Sequence, residues 1–203
     1  MSSRRMFAPP FWLIVHRRES MIDHDRKLLF IHIARTGGTS IECALVGEDW
    51  WNIQSETKHL SARQARKYYG EKIWNSYTKF SVVRNPWNRV VSMWATGWWH
   101  DTELTKDASL EDFVRRLKPH QYETYNSLCY YDILNEEIDY ILRFESLQED
   151  FDVMLKNIGV QKIILPHKEA RVHKHYRELH SKKAKLLVGE IFADDILKYG
   201  YNF

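Results

Sequence analysis

A chain of 203 residues is long enough to bury a real core without a metal or a disulfide framework, and it fits one domain. Hydrophobic residues make up 44% and charged residues 28%, an ordinary globular balance that excludes extended disorder as the main theme. The formal charge of +3 is far below the basic density of a continuous nucleic-acid binder and favours small anions as ligands.

Residues 1–26 mix prolines, arginines and acidic side chains without a helical or strand period, and read as an N-terminal arm ahead of a single domain over 27–203. Arg4 and Arg5 precede an apolar stretch from Phe7 to Val15, which resembles a secretory signal only superficially. Pro9 and Pro10 break the stretch, no small-residue cleavage site follows, and nothing approaches the roughly 20 apolar residues of a membrane span. A cytoplasmic location is the expectation. Cys43 and Cys129 share no C-x-x-C spacing and no clustered partners, so neither a zinc knuckle nor a disulfide is expected.

From Lys27 to Ile33 the chain is short, mostly apolar and followed by a glycine-rich turn, as in a buried parallel strand, with a helix beginning near Thr39. Ser61 to Gln64 has the S-x-x-Q form of a capping box and predicts a helix running towards Tyr69. Lys79 to Val83 is a second strand; Asn85 and Pro86 supply an N-cap and a first helical residue, and Trp87, Val90, Val91, Trp94 and Trp98 follow at helical spacing as a buried face. A third strand over Tyr140 to Arg143 leads into Ser146 to Glu149, read as a second capping box, and a helix ending before Gly159. Ser181 to Lys198 reads as one or two amphipathic helices with Leu186, Leu187, Ile191, Ile196 and Leu197 among their apolar positions. Alternating strands and helices predict an α/β domain around a mainly parallel sheet, with ligands at the carboxyl ends of the strands.

Two segments carry phosphate-binding chemistry. Arg35, Thr36, Gly37, Gly38, Thr39 and Ser40 form a strand-loop-helix junction that combines a cation, two glycines and several hydroxyls. Glycines admit an anion close to the backbone, and the N–H groups of the following helix favour negative charge. No lysine follows the second glycine, so the junction is not a Walker A loop. Glycine-rich turns also arise for purely geometric reasons, which makes a second motif decisive. In Arg84 to Ser92 an arginine closes a strand and a serine lies on the following helix, where Asn85, Arg89 and Ser92 share one face. Arg84 then offers a bidentate fork to a phosphate and Ser92 a hydroxyl donor, whereas either residue alone reads as structural.

In order and spacing the pair resembles the sulfotransferases that use 3′-phosphoadenosine-5′-phosphosulfate (PAPS), in particular the carbohydrate-type, family 2-like group, from about Lys27 to the C-terminus. The resemblance implies a P-loop-like three-layer domain. It assigns Arg35 to Ser40 to the 5′-phosphosulfate, and Arg84 with Ser92 to the 3′-phosphate. It further implies transfer of a sulfuryl group to an acceptor hydroxyl, with carbohydrate as the favoured acceptor class, 3′-phosphoadenosine-5′-phosphate (PAP) as product and no metal. Arg143 to Leu147 and Asp194 to Phe203 resemble family members as well and are assigned to the fold. Arg35 stands where the family usually carries a lysine that contacts the oxygen bridging phosphate and sulfate. It is expected to neutralise the leaving phosphate with altered geometry, since the two cations are not interchangeable.

His59 is the candidate base. It precedes a capped helix in the region where related enzymes place theirs, and an ordinary histidine pKa near 6.5 suits proton removal from a hydroxyl. His32 reads as structural. Trp99 and His100 are candidates to line the acceptor pocket, and Arg171 to Arg177 either covers the nucleotide or is a solvated basic loop. No nucleic-acid partner is expected, and the sequence carries no signature of oligomeric state. Two alternatives stay open: a P-loop-type ATP-dependent kinase or phosphotransferase, which the absent Walker lysine disfavours, and a catalytically inactive nucleotide-binding relative, which Arg35 makes legitimate.

Overall fold

The computed structural model describes residues 21–97, 108–117, 128–166 and 174–203. A four-stranded sheet lies at the centre in the order β1 (Ile22–Asp23), β2 (Leu28–Ile31), β3 (Thr78–Val83), β4 (Tyr140–Arg143). β1 pairs antiparallel with β2, and the β2–β3 and β3–β4 pairings are parallel. The sheet is therefore mixed and is flanked by helices. β2 is buried along its whole length, as a continuous apolar run in a parallel sheet should be. β1 falls within the span read as an N-terminal arm: Ile22 pairs with Leu29 and Asp23 with Leu28, so the sheet starts ahead of Lys27.

Helix α1 (Gly38–Val46) follows β2 directly. α2 (Ala62–Tyr69) carries the expected capping box, with Ser61 and Gln64 side chains each accepting from the other's backbone N–H. After α3 (Glu71–Ser76) and β3, α4 (Pro86–Thr96) starts on the expected cap, the Asn85 side chain accepting from Trp87 N and Asn88 N. α5 (Leu110–Arg116) and α6 (Tyr130–Ile133) precede β4, and α7 (Leu147–Asn157), α8 (Tyr176–Leu179), α9 (Lys182–Ile191) and α10 (Ala193–Tyr199) complete the order.

Two hydrophobic clusters hold these elements. The sheet, α1, α2 and α7 share one, built on Phe30, Phe80, Trp50, Phe151 and Met154; α4, α5, α9 and the C-terminus share another, built on Trp87, Val90, Val91, Phe113 and Phe192. α4 is more enclosed than its period suggests, because Arg89 and Ser92, on the face opposite Trp87, are buried as well. Trp98 lies outside the described residues.

Two local expectations fail. Ser146 makes no cap: Phe144–Ser146 is a 3-10 turn running straight into α7, so Ser146 lacks the extended backbone of an N-cap. Its hydroxyl donates to Asp150 Oδ1, and Asp150 Oδ2 accepts from Arg143 N at 2.7 Å. In the terminal helices Leu186 and Leu197 are exposed, and the buried stripe of α9 runs instead through Ala184 and Val188.

Candidate active site

The carboxyl ends of the three parallel strands, β2, β3 and β4, lead into the loop 34–40, the Arg84–Asn85 corner and the turn at Phe144–Ser146. Glu145 joins two of these and the chain end: Oε1 accepts from Asn85 N at 2.7 Å and Oε2 from the Tyr201 hydroxyl at 3.2 Å. Asn85 Nδ2 donates to Asn202 O at 2.8 Å, so the C-terminal segment braces the start of α4, in keeping with a role in the fold.

The loop after β2 is tightly shaped. Arg35 sits at φ 66 and Gly37 at φ 86, a left-handed pair that turns the chain into α1. Gly38 packs flat against His32; a Cβ there would lie 2.1 Å from Nε2 of that ring. Thr36 is buried and donates its hydroxyl to Ile33 O at 2.8 Å, so this hydroxyl closes the turn from within and faces away from any ligand. No side chain caps α1 and its first turn contains no acidic residue. The start of α1 thus presents the positive end of the helix without a side-chain cap, beside Thr39 and Ser40.

Two arginines of the second motif grip the first. Arg89, almost fully buried, donates from Nε to Ala34 O at 3.0 Å, and Arg84 donates from Nη1 to Arg35 O at 3.1 Å. The carbonyls of Ala34 and Arg35 are thus tied to guanidinium groups of the β3–α4 segment. Arg84 also donates from Nη2 to Asn88 Oδ1 at 2.9 Å and stacks 4.0 Å over the Phe144 ring. Burial draws its guanidinium down to about 10, against the pull of Tyr130 and Glu145 and with added repulsion from Arg35 and Arg89; it is still a full cation at neutral pH. The cation that reaches Ser92 is Arg35, whose Nε and Nη2 donate to Ser92 Oγ at 3.1 and 3.0 Å. Residues 57 apart in sequence thereby meet, and the two motifs become one cationic surface.

His59 lies on the other side of the loop. Its Nδ1 stands 3.2 Å from His32 O, and since a carbonyl only accepts, Nδ1 carries the proton and Nε2 the lone pair. Its ring meets His32 at 4.5 Å between centroids and the half-exposed Trp51 at 5.6 Å. The expectation of an ordinary histidine pKa is not met: burial above all, then the neighbouring His32, pushes His59 down to about 3. It is held neutral.

Beneath His59 is a buried charge cluster that the sequence did not announce. Glu42 of α1 pairs with His32 Nδ1 and, at 2.9 Å, with Lys58 Nζ, which also pairs with Asp49. Burial raises Glu42 to about 7 despite Lys58, and burial followed by the Lys58 charge holds His32 well below its ordinary value. Four residues from separate segments build this cluster, and only their wide spacing in sequence hid it. Trp99 and His100, along with Arg171, Val172 and His173, lie outside the described residues. Among the described residues no group of three or more potential ligands stands close enough to hold a metal ion, and no helix is long and apolar enough to cross a membrane.

A model described as the sulfotransferase family matches residues 18–202, nearly the whole chain. The chain belongs to the sulfotransferase family. An uncharacterized protein of Archaeoglobus fulgidus is similar to it, 29% identical over 104 residues that span 50% of this sulfotransferase and 83% of that protein. No solved structure matches. Sulfuryl transfer is the chemistry that the family brings to this site, and the site suits an anionic substrate: the start of α1 has no side-chain cap, and the cations Arg35, Arg84 and Arg89 gather beside it with the Ser92 hydroxyl.

Proposed function

We propose that this sulfotransferase takes its sulfuryl group from PAPS and delivers it to an acceptor hydroxyl, of carbohydrate type by family resemblance. The observation that carries the reading is the convergence of Arg35 and Ser92, which joins the two phosphate-binding motifs at one pocket. PAPS supplies the activated sulfuryl group. Arg35 to Ser40 and Ser92 hold its phosphates, with Arg84 and Arg89 bracing the loop and adding positive potential. Thr36 contributes its backbone, since its hydroxyl is engaged with Ile33 O.

In the transfer the bond from sulfur to the acceptor oxygen forms as the bond from sulfur to the 5′-phosphate oxygen breaks, and the acceptor proton passes to His59 Nε2. Backbone N–H groups and cations stabilise the charge left on the phosphate, as in other in-line displacements. His59 is neutral at pH 7 and so able to accept; its basicity is low in isolation and rises beside anionic charge. That low basicity is also the observation that favours a second reading, a nucleotide-binding relative without turnover.

The test is a transfer assay with sulfur-35-labelled PAPS and a panel of oligosaccharides, phenols and lipid alcohols. Labelled product from any hydroxyl acceptor supports the enzyme reading, and label on sugars alone fixes the acceptor class. PAP binding with no transfer to any member of the panel would favour the inactive relative.

A further inference from the structure

Trp51 stands beside the candidate base. Its side chain belongs to a residue 47% exposed, yet the indole meets the buried His59 ring at 5.6 Å between centroids. A single exposed aromatic is ordinary, but this one is fixed at several points. Its backbone N–H donates to Asp49 Oδ1 at 2.9 Å, and the fully buried Trp50 before it donates its own N–H to Glu42 Oε2 at 3.2 Å. Lys58, buried and paired with both of those carboxylates, places Nζ 5.1 Å from the indole centroid. The charge cluster beneath His59 therefore secures the short 3-10 turn Trp50–Asn52 and, with it, the indole. From the same turn, Gln54 N donates to Trp50 O at 2.9 Å, and Gln54 Nε2 donates to the Tyr68 hydroxyl at 2.6 Å. Tyr68, on α2, is 54% exposed and packs edge-on against Tyr69 at 4.9 Å. Two exposed aromatic rings are thus linked through an amide into a strip that starts at His59, with Asn52 and Ser55 exposed along it.

We propose that Trp51, Gln54 and Tyr68 form the acceptor-binding strip of this sulfotransferase and that its occupant is a glycan of several sugar units. Trp51 stacks on the sugar whose hydroxyl faces His59, and Tyr68 carries a unit further along the chain. The inference rests on the transfer reading above and deepens it by locating the acceptor. Sugar rings present C–H faces and a rim of hydroxyls, and aromatic rings interleaved with amide and hydroxyl groups match both. Tryptophan and tyrosine give this contact area with little side-chain freedom to lose, and an indole already fixed by Asp49 and Lys58 loses less still.

The experiment is calorimetric titration of cellohexaose, chitohexaose and a hyaluronan hexasaccharide, with the matching disaccharides, into wild type, Trp51→Ala, Trp51→Phe and Tyr68→Ala. Each titration is run with and without saturating PAP, and PAP is titrated into each protein alone. Wild type should bind at least one hexasaccharide. For that ligand Trp51→Ala should lose about tenfold or more, the loss of a stacked aromatic anchor, and Trp51→Phe should recover most of it. Tyr68→Ala should weaken the hexasaccharide by about threefold or more and the disaccharide by less than about twofold. PAP affinity should stay within about twofold of wild type in every variant, which separates a lost platform from a damaged fold. Unchanged hexasaccharide affinity in either alanine variant would overturn the inference, as would a wild type that binds none of the hexasaccharides or binds naphthol in their place. Failure of wild type to bind PAP would instead remove the donor reading, and the titrations without PAP would still judge the strip.

Discussion

Replacing Gly38 with alanine probes the seam between the phosphate loop and the buried charge cluster. The added Cβ would meet the His32 ring at 2.1 Å from Nε2, 2.2 Å from Cδ2 and 2.7 Å from Cε1, all inside any real contact distance. His32 has nowhere to go: it stacks on Phe30 at 5.5 Å between centroids, meets His59 on another side, and its Nδ1 is paired with Glu42. Either the loop lifts off or the ring abandons Glu42, and overpacking of this kind costs about 2 kcal/mol. For a domain of this size that is a fall in Tm of roughly 4–8 °C. Thermal melts of Gly38→Ala, His32→Ala and the double variant read the effect, because the alanine at 38 should cost at least about 1 kcal/mol less once the ring is gone. PAP affinity should drop in Gly38→Ala as the loop shifts. A Gly38→Ala protein with wild-type Tm, or two variants whose effects simply add, would refute the claimed contact.

Two further outcomes follow from the cluster and the base. Glu42, raised to about 7 from an ordinary 4.5, stabilises the fold most below its unfolded pKa and loses that contribution as pH rises through 7, worth about 2 kcal/mol between pH 5 and 7. His59, depressed to about 3, works oppositely: its contribution is complete above an ordinary 6.5 and lost as pH falls, again by about 2 kcal/mol down to pH 5. Glu42→Gln should therefore lose about 2 kcal/mol more stability than wild type between pH 7 and 5 in urea melts, and parallel behaviour of the two proteins would contradict the buried, protonatable carboxyl. His59→Ala should lower kcat by about 10²- to 10⁴-fold with PAP affinity intact; an unchanged kcat would eliminate the base.

Local signals were legible where the chemistry is local. The glycine-rich turn, the Asn85–Pro86 start of α4 and the Ser61–Gln64 capping box each specify backbone geometry within a few residues, and each formed as the sequence suggested. Ser146 shows the limit: the same S-x-x-E pattern fails when a 3-10 turn feeds the helix and removes the extended cap backbone. Side-chain direction across the fold was not legible at all. Arg35 meets Ser92 because Arg84 and Arg89 pull on the loop carbonyls, an arrangement that needs β2 and β3 to be neighbours first. The low pKa of His59 is hidden from the sequence for the same reason, since its ring meets His32, just after β2, and Trp51 of the 3-10 turn at Trp50–Asn52. Leu186 and Leu197 look like core in a helical window, yet both are exposed among the described residues.

The most direct measurement is titration of PAP into wild type and Ser92→Ala in buffer containing EDTA, with ATP and Mg²⁺ as the comparison ligand. A single donor site built from the loop at Arg35–Ser40 and from Ser92 predicts metal-independent PAP binding that weakens by about tenfold or more in the variant. Binding of ATP with Mg²⁺ and none of PAP would contradict it.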